Sequence, residues 1–69
     1  MEKEDLVWLA SKAAEKGWSY ETLKYGDDLY EFKGDERDTI LDEVWKLVTE
    51  YKDGGSIAFR EKYKEFKLY

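Results

Sequence analysis

Tyr25-Gly26-Asp27-Asp28 is the stretch of this 69-residue chain whose residue types look most like chemistry. Two adjacent carboxylates after a glycine, set between apolar segments, have the form of a metal-binding turn. Carboxylate oxygens suit Mg²⁺ and Ca²⁺. The same residues are also what a tight turn prefers, because glycine tolerates unusual backbone angles and aspartate bonds to its own backbone. Two more carboxylate pairs, Asp35/Asp38 and Asp42/Glu43, stand further on. Acid–base work by such a pair needs one member buried with its pKa raised. These positions fall at a helix start and along a helix face, where solvation is expected rather than burial.

The tetrapeptide resembles the metal-binding motif of RNA-dependent RNA polymerases, which sits at the tip of a hairpin. That resemblance covers four residues and implies a second aspartate on a neighbouring strand, holding two metals about 3.5–4 Å apart. It also implies a nucleotide site and a template channel, for which 69 residues leave no room. The turn reading is therefore preferred, with no metal and no cofactor expected. Weak hydrated Mg²⁺ or Ca²⁺ binding is the most that Asp27 and Asp28 could add.

Other chemistry is thin. The chain has no histidine and no cysteine, which removes the commonest general base and the soft metal ligands. Ser11, Ser19 and Ser56 have no base nearby in sequence. Gly54-Gly55-Ser56 lacks the lysine and spacing of a phosphate-binding loop and reads as a helix stop. Catalysis is not expected. The last segment alternates Arg60, Lys62, Lys64 and Lys67 with Phe59, Tyr63, Phe66 and Tyr69. Aromatic rings and cations in alternation are how single-stranded nucleic acid is held. They also describe a strand with aromatics inward and lysines outward.

Charge favours the second description. The formal net charge is −5. Residues 1–56 carry 15 acidic and 8 basic side chains, whereas residues 57–69 carry 2 and 4. Most of the chain thus repels nucleic acid and anionic membranes. No apolar run approaches the roughly 18 residues of a membrane span. The acidic start MEKEDLVWLA lacks the pattern of a signal peptide, so a cytoplasmic protein is expected. Asn, Gln, His, Pro and Cys are all missing, and Met occurs only at position 1. Proline alone averages about 5% of residues. Two origins fit: a hyperthermophile, which enriches Lys and Glu and avoids labile residues, or a designed sequence in a restricted alphabet.

The elements that must position these groups follow from periodicity. Residues 4–16 read as a helix with Leu6, Leu9, Ala10 and Ala13 on one face, stopped by Gly17. Residues 18–25 and 29–33 are rich in β-formers around Gly-Asp-Asp, which predicts a hairpin. A four-residue loop, Gly26 to Leu29, pairs Tyr25 with Tyr30 and Leu23 with Phe32, and sets Lys24 opposite Glu31. A two-residue loop would instead pair Leu23 with Tyr30 and Glu21 with Phe32. The first register keeps the apolar set together. Residues 36–52 read as a second helix, with Asp35 as N-cap and Ile40, Leu41, Val44, Leu47, Val48 and Tyr51 as its stripe. Residues 56–69 are ambiguous. Phe59, Tyr63 and Phe66 fit helical spacing, but two amphipathic helices need a broader sheet to cover, so a strand is expected.

The prediction is a small α+β domain: an antiparallel sheet, hairpin plus C-terminal strand, packed against two helices in the order α-β-β-α-β. On that sheet alternation sends Trp18 and Tyr20 to the face away from the helices, the equal alternative being that the third strand curls over and buries them. With Tyr63 and Tyr69 from the tail they form the expected partner-contact surface, for a protein or a second copy of the chain. The leading functional expectation is a stable scaffold, non-enzymatic and with no activity beyond folding. The alternatives are an acidic protein-binding module or inhibitor, resting on the carboxylates of residues 27–43, and a weak single-stranded nucleic-acid binder acting through the tail.

Overall fold

A computed structural model describes residues 1–69, and it contains no β-strand. Four helices make the fold: α1 (Lys3–Lys16), α2 (Tyr20–Lys24), α3 (Gly34–Gly54) and α4 (Ser56–Lys62), with a single 3₁₀ turn over Asp27–Leu29 between α2 and α3. The expected α+β architecture and its order α-β-β-α-β are therefore corrected to an all-helical one.

The two long helices lie where periodicity places them. Helix α1 buries Leu6, Val7, Leu9, Ala10 and Ala13. It closes at Gly17, whose φ of 70° is open to glycine at no steric cost. The Gly17 N–H donates to Ala14 O at 3.2 Å and the Trp18 N–H to Ala13 O at 2.9 Å, which satisfies carbonyls the helix end leaves unpaired. Helix α3 buries the whole expected stripe, from Ile40 to Tyr51. Its start differs from expectation. Lys33 is the N-cap residue, no side chain caps it, and Asp35 lies within the first turn, where its charge still favours the helix dipole.

The hairpin expected over residues 18–33 is replaced by α2 and the 3₁₀ turn. Ser19 explains the first of these. Its Oγ accepts the Thr22 N–H at 3.1 Å, the bond of an N-cap. The register then changes which side chains are inside. Leu23 and Leu29 are buried in the core, whereas Tyr25 and Tyr30 are 72% and 78% exposed and do not pair. The hairpin register places Leu29 at the end of the loop instead. β-propensity spans only about 1 kcal/mol and yields to context, and burying a leucine is worth about 1.5–3 kcal/mol. Two buried leucines plus a cap outweigh a hairpin that is marginal alone.

The expected C-terminal strand is also corrected. Residues 56–62 form α4, and Phe59 and Tyr63, spaced by four, turn into the core. Gly55, at φ 89°, makes the sharp junction from α3. Aromatic rings stack along this end: Tyr51 to Phe59 at 5.0 Å, Phe59 to Tyr63 at 4.6 Å and Tyr63 to Phe66 at 6.0 Å between centroids. The core is thus one cluster. Helix α1 packs along α3, α4 folds back on α3, and Leu23 and Leu29 plug the remaining end. No helix is long and apolar enough to cross a membrane.

Candidate functional site

Tyr25-Gly26-Asp27-Asp28 lies between the end of α2 and the 3₁₀ turn. Gly26 has an ordinary φ of −81°. It is needed for another reason: a Cβ there would stand 2.9 Å from the Thr22 carbonyl oxygen. The two aspartates do different things. Asp27 is exposed. Asp28 is half-buried, and its Oδ2 lies 3.4 Å from Lys12 Nζ. No group of three or more acidic side chains converges closely enough to hold a metal ion.

Lys12 is the centre of a larger cluster. Its ammonium lies 5.2 Å from the Trp8 ring centroid and 5.3 Å from that of Trp18. Tyr69 meets Trp8 edge-on at 5.8 Å, and the Lys16 ammonium lies 5.4 Å from the Tyr69 centroid. The result is a chain of contacts between rings and cations beside α1: Trp18, Lys12, Trp8, Tyr69, Lys16. An open hollow of about 320 Å³ adjoins it, lined by Glu4, Asp5, Trp8 and Lys67.

The four residues expected to share one contact surface are distributed differently. Trp18 and Tyr69 belong to the chain of contacts beside α1. Tyr20 stands in a separate cluster, edge-on to Trp45 at 5.5 Å, with its hydroxyl donating to Asp42 Oδ1 at 3.2 Å. Desolvation of the Tyr20 phenol, then the Asp42 hydrogen bond and the charges of Asp42 and Asp38, raise its pKa. Tyr63 is only 8% exposed. Its hydroxyl donates to Glu50 Oε2 at 2.6 Å, and the Lys62 ammonium donates to Glu50 Oε1. The two donors, Lys62 first, hold the Glu50 carboxyl below its usual range. Desolvation and Glu50 push the Tyr63 phenol up, and the Glu50 hydrogen bond raises Lys62. At the following residue the Tyr51 hydroxyl donates to Glu15 Oε2 at 2.7 Å, and that bond raises the Tyr51 pKa.

Three of the four cations of the basic tail are paired within the molecule. Arg60 lies 3.8 Å from Glu15, Lys62 pairs with Glu50 and Lys64 with Glu61. Phe59 and Tyr63 face inward. The acidic stretch is the reverse case. Of its eight carboxylates only Asp28 is in an ion pair; Asp27, Glu31, Asp35, Glu36, Asp38, Asp42 and Glu43 are exposed and have none. Helical spacing places Asp35, Asp38 and Asp42 on the side of α3 opposite its buried stripe and Glu36 and Glu43 at its flank. Tyr25 and Tyr30 stand in the same stretch, with the Arg37 guanidinium 6.0 Å from the Tyr25 centroid.

Trp8 and Lys12 are the site residues that sequence reasoning did not single out, and Asp28 was singled out only as a turn carboxylate. Trp8, Lys12 and Lys16 at intervals of four were the available signal on α1. The pairing of Asp28 with Lys12 gave none, because the two lie 16 positions apart. The fold and these clusters define a small four-helix domain with a polarised surface. No protein-family model, curated protein or solved structure matches the chain.

Proposed function

We propose that this chain is a binding module, not an enzyme, and that its partner is a protein with a basic surface of the kind that holds nucleic acid. One observation carries the reading: seven exposed carboxylates without an ion-pair partner in residues 27–43, with the two most exposed aromatic side chains, Tyr25 and Tyr30, set among them. Like charges held close repel one another in the free chain, and a basic partner relieves that repulsion and speeds encounter. Tyrosines supply the apolar contact that charge alone lacks. The proposal places the module in the cytoplasm, where a cysteine-free chain needs no oxidising compartment.

The test is affinity capture with the wild-type chain, with Tyr25→Ser/Tyr30→Ser, and with Asp38→Asn/Asp42→Asn/Glu43→Gln. Supporting results are one saturable basic partner, release by salt, displacement by nucleic acid, and loss of retention in both variants. Equal retention by both variants, or no partner retained at about 50 mM salt, overturns the proposal and leaves a stable domain without this activity.

A further inference from the structure

Three separate pieces of chain converge on one ammonium. Trp8 comes from the middle of α1, Trp18 from just beyond the Gly17 stop, and Asp28 from the 3₁₀ turn. Around Lys12 Nζ they set two indole rings, at 5.2 and 5.3 Å, and one carboxylate, at 3.4 Å. Indole is the best aromatic partner for a cation, and rings gathered round one cation are how proteins recognise alkylated ammonium groups. The Lys12 and Asp28 side chains remain 21% and 25% accessible, so the cluster opens to solvent. The chain supplies its own comparison. Lys52 Nζ lies 5.2 Å from the Trp45 centroid, yet it has neither a second ring nor a carboxylate in ion-pair range.

The geometry points to Trp8, Trp18 and Asp28 as a binding site for a methylated ammonium group, occupied in the free chain by the chain's own Lys12. A methylated ammonium is the better guest. It is more weakly hydrated than a primary ammonium and loses less on leaving water, and its methyl groups touch both rings. Lys12 holds the site by proximity: a tethered group competes at a local concentration in the millimolar range. The ligand chemistry is shared by small quaternary ammonium compounds and by methylated lysine side chains. The site does not depend on the basic partner proposed above.

The test uses Lys12→Ala, which empties the site and keeps a strong helix former on α1. Tetramethylammonium is the first probe and neopentyl alcohol its neutral counterpart, read by the indole N–H resonances of the three tryptophans. Tetramethylammonium is expected to shift Trp8 and Trp18 saturably, with a dissociation constant of about 1 mM. Binding to wild type should be about tenfold weaker. Trp45 should stay put, neopentyl alcohol should have no effect, and adding Asp28→Asn should weaken binding. Choline and trimethyllysine amide form the second arm: the tighter of the two names the source. Silence at Trp8 and Trp18 in folded Lys12→Ala, an equal response at Trp45, or equal shifts with neopentyl alcohol overturns the assignment. If Lys12→Ala loses its helical circular dichroism, the wild-type titration decides. A saturable shift confined to Trp8 and Trp18 upholds the site, and none up to about 100 mM, tenfold above the constant expected for wild type, overturns it.

Discussion

Ser11 and Tyr69 are 58 positions apart, and the Ser11 Oγ accepts the Tyr69 backbone N–H at 2.9 Å. The same hydroxyl donates to the Trp8 carbonyl oxygen at 2.8 Å. Ser11 is the one buried polar residue, and both bonds satisfy it. It pins the last residues to α1 and brings the Tyr69 ring against Trp8. Ser11→Ala leaves the Tyr69 N–H without its partner. The expected cost is about 1 kcal/mol, or about 4–8 °C in Tm for a domain of this size. Thermal melting checks the magnitude, and hydrogen exchange at the Tyr69 amide checks the cause.

Tyr25 and Leu29 exchange the importance the strand reading gives them. A paired Tyr25 would be costly to lose, and a loop Leu29 cheap. With Tyr25 exposed and Leu29 fully buried, Leu29→Ala should cost about 2–5 kcal/mol and Tyr25→Ala or Tyr30→Ala about 0.5 kcal/mol or less. Denaturant unfolding of the three variants orders them. A larger loss for Tyr25→Ala would contradict the helical register.

Gly26 should resist substitution although its φ is ordinary. Gly26→Ala sets a Cβ 2.9 Å from the Thr22 carbonyl oxygen, and the backbone must shift to relieve it. A destabilisation of about 1–3 kcal/mol is expected. Asp27→Ala should be near neutral, and Asp28→Ala should cost about 1 kcal/mol through Lys12. Equal effects for the two aspartates would mean that the Lys12–Asp28 pair contributes nothing.

Glu50 ties stability to pH at the acid end. Its lowered native pKa contributes stability above its unfolded value, and that contribution disappears as pH falls through the native value. Stability should therefore decline in acid, below the ordinary carboxylate value of 4.5. Lys62 and Tyr63 act at the other end. Their raised native values contribute stability that is lost as pH rises beyond 10.5 and 10.0. The Glu50 side chain is 36% exposed, so solvent screening keeps the acid effect small. Glu50→Gln should flatten the acid limb of a Tm–pH profile, and an unchanged limb would assign the decline to other carboxylates.

The amino-acid sequence by itself determined α1 and α3 and the faces they bury. From Leu6 to Ala13 and from Ile40 to Tyr51 the apolar period matches a helix, and Gly17 and Gly55 end each where a backbone with positive φ is required. It also determined the charge asymmetry between residues 27–43 and the tail. Tertiary structure alone decided residues 18–33 and 56–69. There β-formers such as Tyr20, Thr22 and Tyr25 are only weak local votes, and the outcome turned on whether Leu23, Leu29, Phe59 and Tyr63 could reach a core built by α1 and α3. It decided the site as well. Lys12 meets Asp28 because the chain after α2 returns to within reach of α1, and contacts between residues far apart in the chain leave no mark in local periodicity.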